Sequence, residues 1–401
     1  MLGRLKFDIT HLVEEMLDHL PKEVWSSSTT TFLDPAIAGG QFVQAIEHRL
    51  RQAGHSNDNI KSRVYGYENH KRRIRFAINN HKLVGTYLNN DFLNEEISMK
   101  FDVVVGNPPY QESKAHGKKV TGNGALWVKF TLKAIDLCND DGYVLFITPD
   151  SWTAPTYDLM GSRKSIFNDY FKKYNLTYIN FDVKKHFLGV GTDPCAFIMK
   201  KDFYYKTTNV VTPNETFSID ITNMSFITRD INSVALAIHE KVLSQTENNR
   251  PCKMRWTKSV TGIKIENDKS DEYCYPFVDH HAEKPLRWAN TLDPDALKRK
   301  VLIPYVGKYQ CIIDDKGELG ARESVSVLFL NKNETVDSAN SFFNSKLVTY
   351  IMNTNKWTQY ILSQIINYIP INDYTQTWTD KDLYTHFNLT LEEIDYIETN
   401  S

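Results

Sequence analysis

Residues 101–110 read Phe101-Asp102-Val103-Val104-Val105-Gly106-Asn107-Pro108-Pro109-Tyr110. The first six form a short apolar run bounded by a turn signal, which predicts a buried strand. The two prolines fix the backbone and remove two N–H donors, so the turn is rigid and presents carbonyl oxygens. Rigid acceptors beside an aromatic side chain suit a planar substrate that bears an NH₂ group. The alternative interpretation is an ordinary strand-end turn with a packed tyrosine.

Short β-rich runs alternate with segments of helical spacing in the first half of the chain. The runs cover residues 31–34, 63–68, 85–90, 101–106, 142–148, 176–181 and 196–200. This alternation predicts βαβ units, and therefore an α/β domain with a mostly parallel sheet over residues 1–205. Beyond it we expect a mixed α+β domain over 206–401 with a helical C-terminal part, in which 231–243 and 341–365 have helical spacing.

Composition bounds the class of protein. The 401 residues are 41% hydrophobic and 12% aromatic, which is enough for proper cores and excludes a disordered chain. We find no apolar run of the length that a membrane span needs and no secretory signal at the start. Five widely spaced cysteines without a CxxC pair favour a reducing cytosol over a disulfide framework or zinc site, so we expect a cytoplasmic protein without a metal.

The net charge of −2 argues at first against a nucleic-acid partner. The charge is unevenly distributed, however: residues 1–205 carry +3, 206–310 carry +2 and 311–401 carry −7. The acidic excess is therefore confined to the last quarter of the chain. A nucleic-acid contact would depend on local basic patches.

Polar residues follow the predicted strands of the first half. Asp34 precedes a turn with the pair Gly39-Gly40, Glu68 ends the second strand, and Asp91 follows the third. In parallel α/β sheets, ligands bind at the carboxyl ends of the strands. Each acid alone is more often a solvated strand-end residue. Their succession, together with Asn107, predicts a shared ligand site.

On these residues the chain resembles DNA adenine-N6 methyltransferases that use S-adenosylmethionine and place the target-recognition region last. Asn107-Pro108-Pro109-Tyr110 matches the family's catalytic motif, and residues 34–42 resemble its cofactor loop, usually DPACGSGxF. The resemblance implies a Rossmann-like methyltransferase domain over 1–205 and a DNA target-recognition domain over 206–401. The implied cofactor-binding residues are Asp34, Ala36, Gly40, Phe42, Glu68, Asn69, Asp91, Phe92 and Asn107.

The resemblance also implies roles around a flipped adenine. Asn107 and Pro108 would accept the two N6 hydrogens, and Tyr110 would stack on the base. Phe187 is expected on the opposite face of the base, although an ordinary core aromatic is the competing interpretation. From the residues themselves, segment 111–124, which contains Lys118 and Lys119, is predicted to be a mobile basic loop that flanks the pocket and orders on DNA, with an ordinary solvated loop as the alternative.

The second half of the chain shows only a general resemblance. Two basic segments are candidate phosphate contacts, each with a solvated surface as the alternative. One contains Arg250, Lys253, Arg255, Lys258 and Lys264, and the other contains Arg287, Lys298, Arg299 and Lys300. The expected partners are double-stranded DNA and a cognate restriction endonuclease, with the enzyme a monomer in the cytoplasm, associated with the nucleoid through DNA.

One departure from the family pattern bears on activity. The usual Cys-Gly-Ser of the cofactor loop is Ile37-Ala38-Gly39, so a β-carbon stands where the family has its first glycine. Weakened cofactor affinity would leave a DNA-binding protein with a vestigial catalytic domain. Methylation of a protein glutamine or of an RNA adenine would also fit the motif, because an amide and an RNA base present the same NH₂ group.

Overall fold

The structure is a computed structural model, and it describes residues 9–111, 125–154, 165–187, 191–204, 207–244, 250, 252–254, 263–281, 286–322, 324–356 and 360–401. The chain divides into two compact units, of which the first extends to Thr222 and the second contains Asn223–Ser401. A short piece that begins at Thr153 also belongs to the second unit. No helix within these ranges combines the length and apolarity needed to cross a bilayer.

The first unit contains six α-helices and nine strands in its described part. The helices are α1 (Thr10–Asp18), α2 (Lys22–Ser26), α3 (Gln41–Gln52), α4 (Asn57–Lys61), α5 (Lys71–His81) and α6 (Leu126–Leu137). The strands are β1 (Phe32–Asp34), β2 (Val64–Tyr67), β3 (Thr86–Leu88), β4 (Phe101–Gly106), β5 (Cys138–Pro149), β6 (Asn175–Asn180), β7 (Pro194–Lys200), β8 (Thr208–Val211) and β9 (Thr216–Ile219).

These strands form one sheet in the order β3-β2-β1-β4-β5-β7-β6-β8-β9. Strands β1 to β5 pair in parallel, whereas β7 is antiparallel to both β5 and β6. Each of the seven predicted β runs contributes a strand, so the α/β fold with a mostly parallel sheet is confirmed. Helices α1 and α3 cover one face, where Leu12, Met16 and Ile46 pack with Phe32 and Val103 in a buried cluster.

The sheet extends past the predicted end of the first domain. Strand β8 pairs in parallel with β6, and β9 pairs antiparallel with β8. The Thr208 hydroxyl is buried and donates to the carbonyl oxygen of Leu176 at 2.7 Å. The structural boundary therefore follows Thr222 instead of residue 205, because these two strands complete the sheet of the first unit.

The second unit is mixed α+β in its described part. Its helices are α7 (Ser233–Val242), α8 (Val336–Phe343), α9 (Lys346–Thr354), α10 (Asp380–His386) and α11 (Leu391–Asn400). Its strands are β10 (Lys253–Met254), β11 (Ile265–Glu266), β12 (Tyr275–Val278), β13 (Leu286–Ala289), β14 (Lys300–Pro304), β15 (Ile312–Asp314), β16 (Gly320–Ala321) and β17 (Val325–Phe329). They form two four-stranded sheets, β10-β17-β14-β15 and β11-β13-β12-β16.

The helical C-terminal part packs around a core of its own, which includes Phe343, Ile351 and Ile365. The helical segment predicted over 341–365 is in fact two helices followed by a 3₁₀ turn. Ser345 interrupts it, because its side chain accepts a hydrogen bond from the backbone N–H of Val348 and so starts a new helix as an N-cap.

Candidate active site

The carboxyl ends of β1 and β4 bring the first and last of the predicted motifs together. Asp34 is the final residue of β1, and Gly106, the final residue of β4, directly precedes Asn107. A β-carbon at Gly106 would lie 3.1 Å from Asp34 Oδ1, so the absence of a side chain there lets the two strand ends approach closely. The predicted cofactor loop and the Asn-Pro-Pro-Tyr turn are therefore neighbours at one edge of the sheet.

Asp34 starts the loop that leads into α3. Its Oδ1 atom accepts a hydrogen bond from the N–H of Ala36 at 2.9 Å, and its side chain is 2% exposed. Burial raises the pKa of Asp34, the Ala36 hydrogen bond opposes this rise and the negative charge of Glu68 adds to it, so that the pKa reaches about 7.

The residues that depart from the family loop have distinct roles in the structure. Ile37 is buried, and its Cδ1 atom lies 2.7 Å from the place where a β-carbon on Gly66 would stand. The larger side chain therefore packs over a glycine of β2. Ala38 is exposed and has a left-handed φ of 46°, a conformation that favours glycine. The sequence showed the altered residues but not that Gly66 makes room for the larger side chain of Ile37.

Glu68 joins the ends of the first two strands. Its Oε2 atom accepts from the N–H of Ala38 at 3.1 Å, and its Oε1 atom accepts from the N–H of His70 at 2.8 Å. The carboxylate is 6% exposed, and the next residue, Asn69, is exposed. Each carboxylate oxygen has further acceptor capacity, so Glu68 can bind a ligand hydroxyl while it holds the loop.

The loop ends at Gly40, which caps α3 with a φ of 89°. A β-carbon there would lie 3.0 Å from Cβ of Ala77, so both conformation and packing require glycine. His81, at the end of α5, lies 3.0 Å through Nε2 from the carbonyl oxygen of Gly39. His81 was not predicted as a site residue, since it contacts the loop only because α5 packs beside it.

The third strand end brings Asp91 to the same edge of the sheet. Asn89 Nδ2 donates to the carbonyl oxygen of Glu68 at 2.7 Å, which ties this segment to β2. Asp91 is exposed and its side chain accepts from the N–H of Leu93 at 3.1 Å. Phe92 is buried, and its ring stacks on Phe130 with centroids 5.3 Å apart. Phe92 therefore anchors this segment in the core, and Asp91 is the polar side chain that it exposes.

The turn after β4 combines buried and accessible groups. Pro108 is buried, Pro109 is exposed, and Asn107 and Tyr110 are half-buried. The Tyr110 hydroxyl is buried, with no hydrogen-bond partner among the residues that the structure describes. Burial, followed by the nearby Cys195, raises the pKa of Tyr110, so this side chain is neutral.

The other predicted site residues differ in their burial. Phe42 and Phe187 belong to the buried core cluster of the first unit, at 3% and 5% exposure. Phe187 thus occupies the position of a core aromatic, which was the competing interpretation of the sequence. Ala36 is half-buried in the loop. Lys118, Lys119, Arg255 and Lys258 lie outside the described residues.

Five of the seven described members of the two predicted basic segments form ion pairs, namely Arg250, Arg287, Lys298, Arg299 and Lys300. Arg250 pairs with the buried Glu334, and Arg299 pairs with Asp315 at 2.6 Å. Lys300 is itself buried and pairs with Asp314 at 2.5 Å. Cations that are adjacent in the sequence therefore pair with separate acids, Arg299 with Asp315 and Lys300 with Asp314.

Comparisons with known proteins agree with this site. Residues 29–187 match the family model of the Eco57I restriction-modification methylase. An uncharacterized adenine-specific methylase of Mycoplasma pneumoniae is 38% identical over 117 residues, which make up 27% of this chain and 26% of that protein. The type II methyltransferase M.HincII of Haemophilus influenzae is 26% identical over 284 residues, 67% of this chain and 48% of that protein.

The chain thus spans less than half the length of either relative. Among solved structures, a nuclease-deletion mutant of the type ISP restriction-modification enzyme LlaGI, in complex with a DNA substrate mimic, has a similar fold. Its TM-score is 0.55 at 10% identity, and the match covers 91% of this chain and 53% of that one. The strand-end site lies within the residues that match the family model. Residues 29–187 are therefore similar to the methylase domain of the Eco57I restriction-modification family.

Proposed function

We propose that this protein transfers a methyl group from S-adenosylmethionine to N6 of a flipped adenine in a specific sequence of double-stranded DNA. The observation that carries the proposal is the close approach of Asp34 to the end of β4, from which the turn of Asn107 begins. It puts the predicted cofactor loop beside the predicted catalytic turn. The family of the domain and the adenine-specific methylase of Mycoplasma pneumoniae support this reaction.

The residues at the strand ends fit the proposed cofactor. Helix α3 begins at Gly40 without a side-chain cap, so the N–H groups of its first turn can receive a ligand's carboxylate. S-adenosylmethionine would supply a methyl group activated by its sulfonium. Glu68 suits ribose hydroxyls and Asp91 suits an exocyclic amine, while Phe42 and Phe92 support the loop from the core. The residues proposed to bind the cofactor are Asp34, Ala36, Gly40, Glu68, Asn69, Asp91 and Asn107.

Adenine N6 is a weak nucleophile because its lone pair is conjugated with the ring. We assign the side-chain oxygen of Asn107 and the carbonyl oxygen of Pro108 as acceptors of the two N6 hydrogens. This arrangement favours the tetrahedral nitrogen of the transition state. Pro109 brings no competing N–H, and Tyr110 stacks on the flipped base. Positioning supplies the remainder of the rate enhancement.

We assign target recognition to the second unit, with duplex DNA as the substrate and a restriction endonuclease as the functional partner. The restriction-modification name of the matching family model supports these assignments. Because the proposed substrate is DNA, we expect the enzyme in the cytoplasm, associated with the nucleoid. We expect the protein to act as a monomer, and Lys118, Lys119, Arg255 and Lys258 remain proposed DNA contacts.

The test is transfer of a tritiated methyl group to unmethylated duplex DNA, single-stranded DNA, RNA and protein. We expect label at N6 of adenine in duplex DNA. Asn107→Ala should abolish transfer and leave DNA binding intact, whereas Asn209→Ala, the same change at an exposed residue of β8, should transfer normally. Label only in RNA or protein would contradict the proposed substrate. Binding without any transfer would indicate a vestigial catalytic domain.

A further inference from the structure

The sheet β11-β13-β12-β16 of the second unit has one face in a core and an opposite face that carries charge. Val278 pairs with Ala321, and both pack in a buried cluster with Leu302. Side chains alternate along a strand, so the neighbouring residues point the other way. Phe277 is aligned with Arg287 across β12 and β13, which places this arginine on the face opposite that core.

Asp279 is the centre of this second face. It is 1% exposed, and its Oδ2 atom lies 2.7 Å from Nε of Arg287. The Nη1 atom of Arg322 lies 3.5 Å from Oδ1, which also accepts from the backbone N–H of His280 at 2.7 Å. Burial alone would raise the pKa of Asp279, but hydrogen bonds from His280 and the charge of Arg287 lower it, so the carboxylate is ionised.

The charges of this group do not cancel. Two guanidinium groups share one carboxylate, which leaves a charge of +1 on Asp279, Arg287 and Arg322 together. By contrast, Arg299 with Asp315 and Lys300 with Asp314 are pairs of one cation and one anion. A buried acid that holds two arginines fixes their position without neutralising them.

Both arginines also keep donors for a ligand. Their side chains are 32% and 36% exposed, for Arg287 and Arg322 respectively. Within the part of the chain that the structure describes, the Nη atoms of Arg287 and the Nε and Nη2 atoms of Arg322 make no hydrogen bond. A guanidinium has five N–H groups in a planar fork that matches the oxygens of a phosphate.

We propose that Arg287 and Arg322, held by Asp279, contact the phosphate backbone of duplex DNA. The inference rests on the proposed function and assigns part of the DNA contact of the second unit to named residues. The side chains of the two arginines are partly exposed and carry a surplus charge in a fixed geometry. A contact to a DNA phosphate requires an oriented positive charge and does not require the side chain to enter a groove. Fixed, positively charged arginines meet that requirement.

Binding of the full chain to a random-sequence duplex of about 30 base pairs, measured across a series of salt concentrations, tests this. For Arg287→Ala and Arg322→Ala we expect affinity to fall about fivefold to tenfold at low salt, and the salt slope to fall by about 1 for each variant. Arg322→Lys should restore most of the affinity, because it keeps the charge.

Arg299, a candidate phosphate contact in the sequence, is paired in the structure with a single acid, Asp315, and its side chain is also 32% exposed. Because that acid balances its charge, Arg299→Ala is the matched control. It should bind like the wild type, and thermal unfolding should show that all four variants are folded. Equal affinity and salt slope in Arg322→Ala and Arg299→Ala would overturn the inference while leaving methyl transfer intact. Weakening confined to duplexes with the methylation target would indicate a base contact and would also overturn it. If the wild type binds duplex but transfers no methyl group, the proposed function fails and this inference does not.

Discussion

At the scale of single residues, the buried carboxyl of Asp34 makes the stability of the protein depend on pH. The carboxyl has a pKa of 3.8 in an ordinary setting and about 7 in the folded protein, mainly because it is buried. Between these values the folded state binds more protons than the unfolded state, so the free energy of unfolding falls as the pH rises. The loss is about 1.4 kcal/mol for each pH unit in that window.

Asp34→Asn should remove this dependence, because asparagine keeps the oxygen that accepts from Ala36 and carries no charge. We expect the variant to be more stable than the wild type at pH 8, with the difference shrinking towards pH 4. Urea denaturation across this range measures it. Asp58→Asn, the same change at an exposed residue of α4, is the control. Parallel stability curves for wild type and Asp34→Asn would contradict a raised pKa at this carboxyl.

Ala38 carries backbone strain in the cofactor loop. A left-handed φ of 46° costs a residue with a β-carbon roughly 1–2 kcal/mol, and glycine avoids this cost. After allowing for the greater freedom of glycine in the unfolded chain, Ala38→Gly should stabilise the protein by about 0.5–1 kcal/mol. Ala36→Gly, where the backbone is not left-handed, should destabilise it by about 0.4–1 kcal/mol. Chemical denaturation measures the free energy of unfolding of both variants. A change of the same sign in both would show that Ala38 is not strained.

At the scale of elements, the charges in the first turn of α5 are unfavourable for a helix N-terminus. Its first turn contains Lys71, Arg72 and Arg73 and no acidic residue, and its N-cap makes no side-chain hydrogen bond. Cations at a helix N-terminus oppose the macrodipole, and Lys71 also repels Arg75 one turn further on. The helix is therefore maintained by the burial of Ile74 and Ala77.

Lys71→Glu should stabilise the protein by about 0.5–1.5 kcal/mol, because it satisfies the dipole and turns a repulsive pair with Arg75 into an attractive one. Lys71→Gln removes the charge without reversing it and should give about half of the gain. Thermal unfolding at low and high salt measures both, and the gain should shrink in high salt. An unchanged midpoint at low salt would mean that these charges are already compensated.

Some elements and contacts could be predicted from the sequence, and others could not. The alternation of strand and helix predicted the sheet and the strand ends that carry Asp34, Glu68, Asp91 and Asn107, because both follow from local periodicity. Strands β8 and β9 were missed, since β8 is short and is defined by its pairing with β6. His81 and Asp279 were missed for the same reason: their contacts join segments that are distant in the sequence.

At the scale of the whole molecule, each unit has a core of its own. The first is built on α1, α3 and the parallel strands, and the second on the C-terminal helices. The net charge of −2 hides this division, because the acidic excess lies in the last quarter of the chain. The proposed cofactor would touch only the first unit. Its effect on stability should therefore be local.

Hydrogen exchange followed by mass spectrometry measures that effect. At a concentration one hundred times its Kd, S-adenosylmethionine should stabilise the state that binds it by about 2.7 kcal/mol. We expect slower exchange in peptides that cover residues 34–44 and 66–70, because the loop and the start of α3 order around the ligand. Peptides that cover β14 in the second unit provide the internal control and should exchange at an unchanged rate. Protection confined to the second unit would show that the cofactor binds elsewhere. The proposed cofactor-binding residues at the strand ends would then be wrong, although the fold of the first unit would stand.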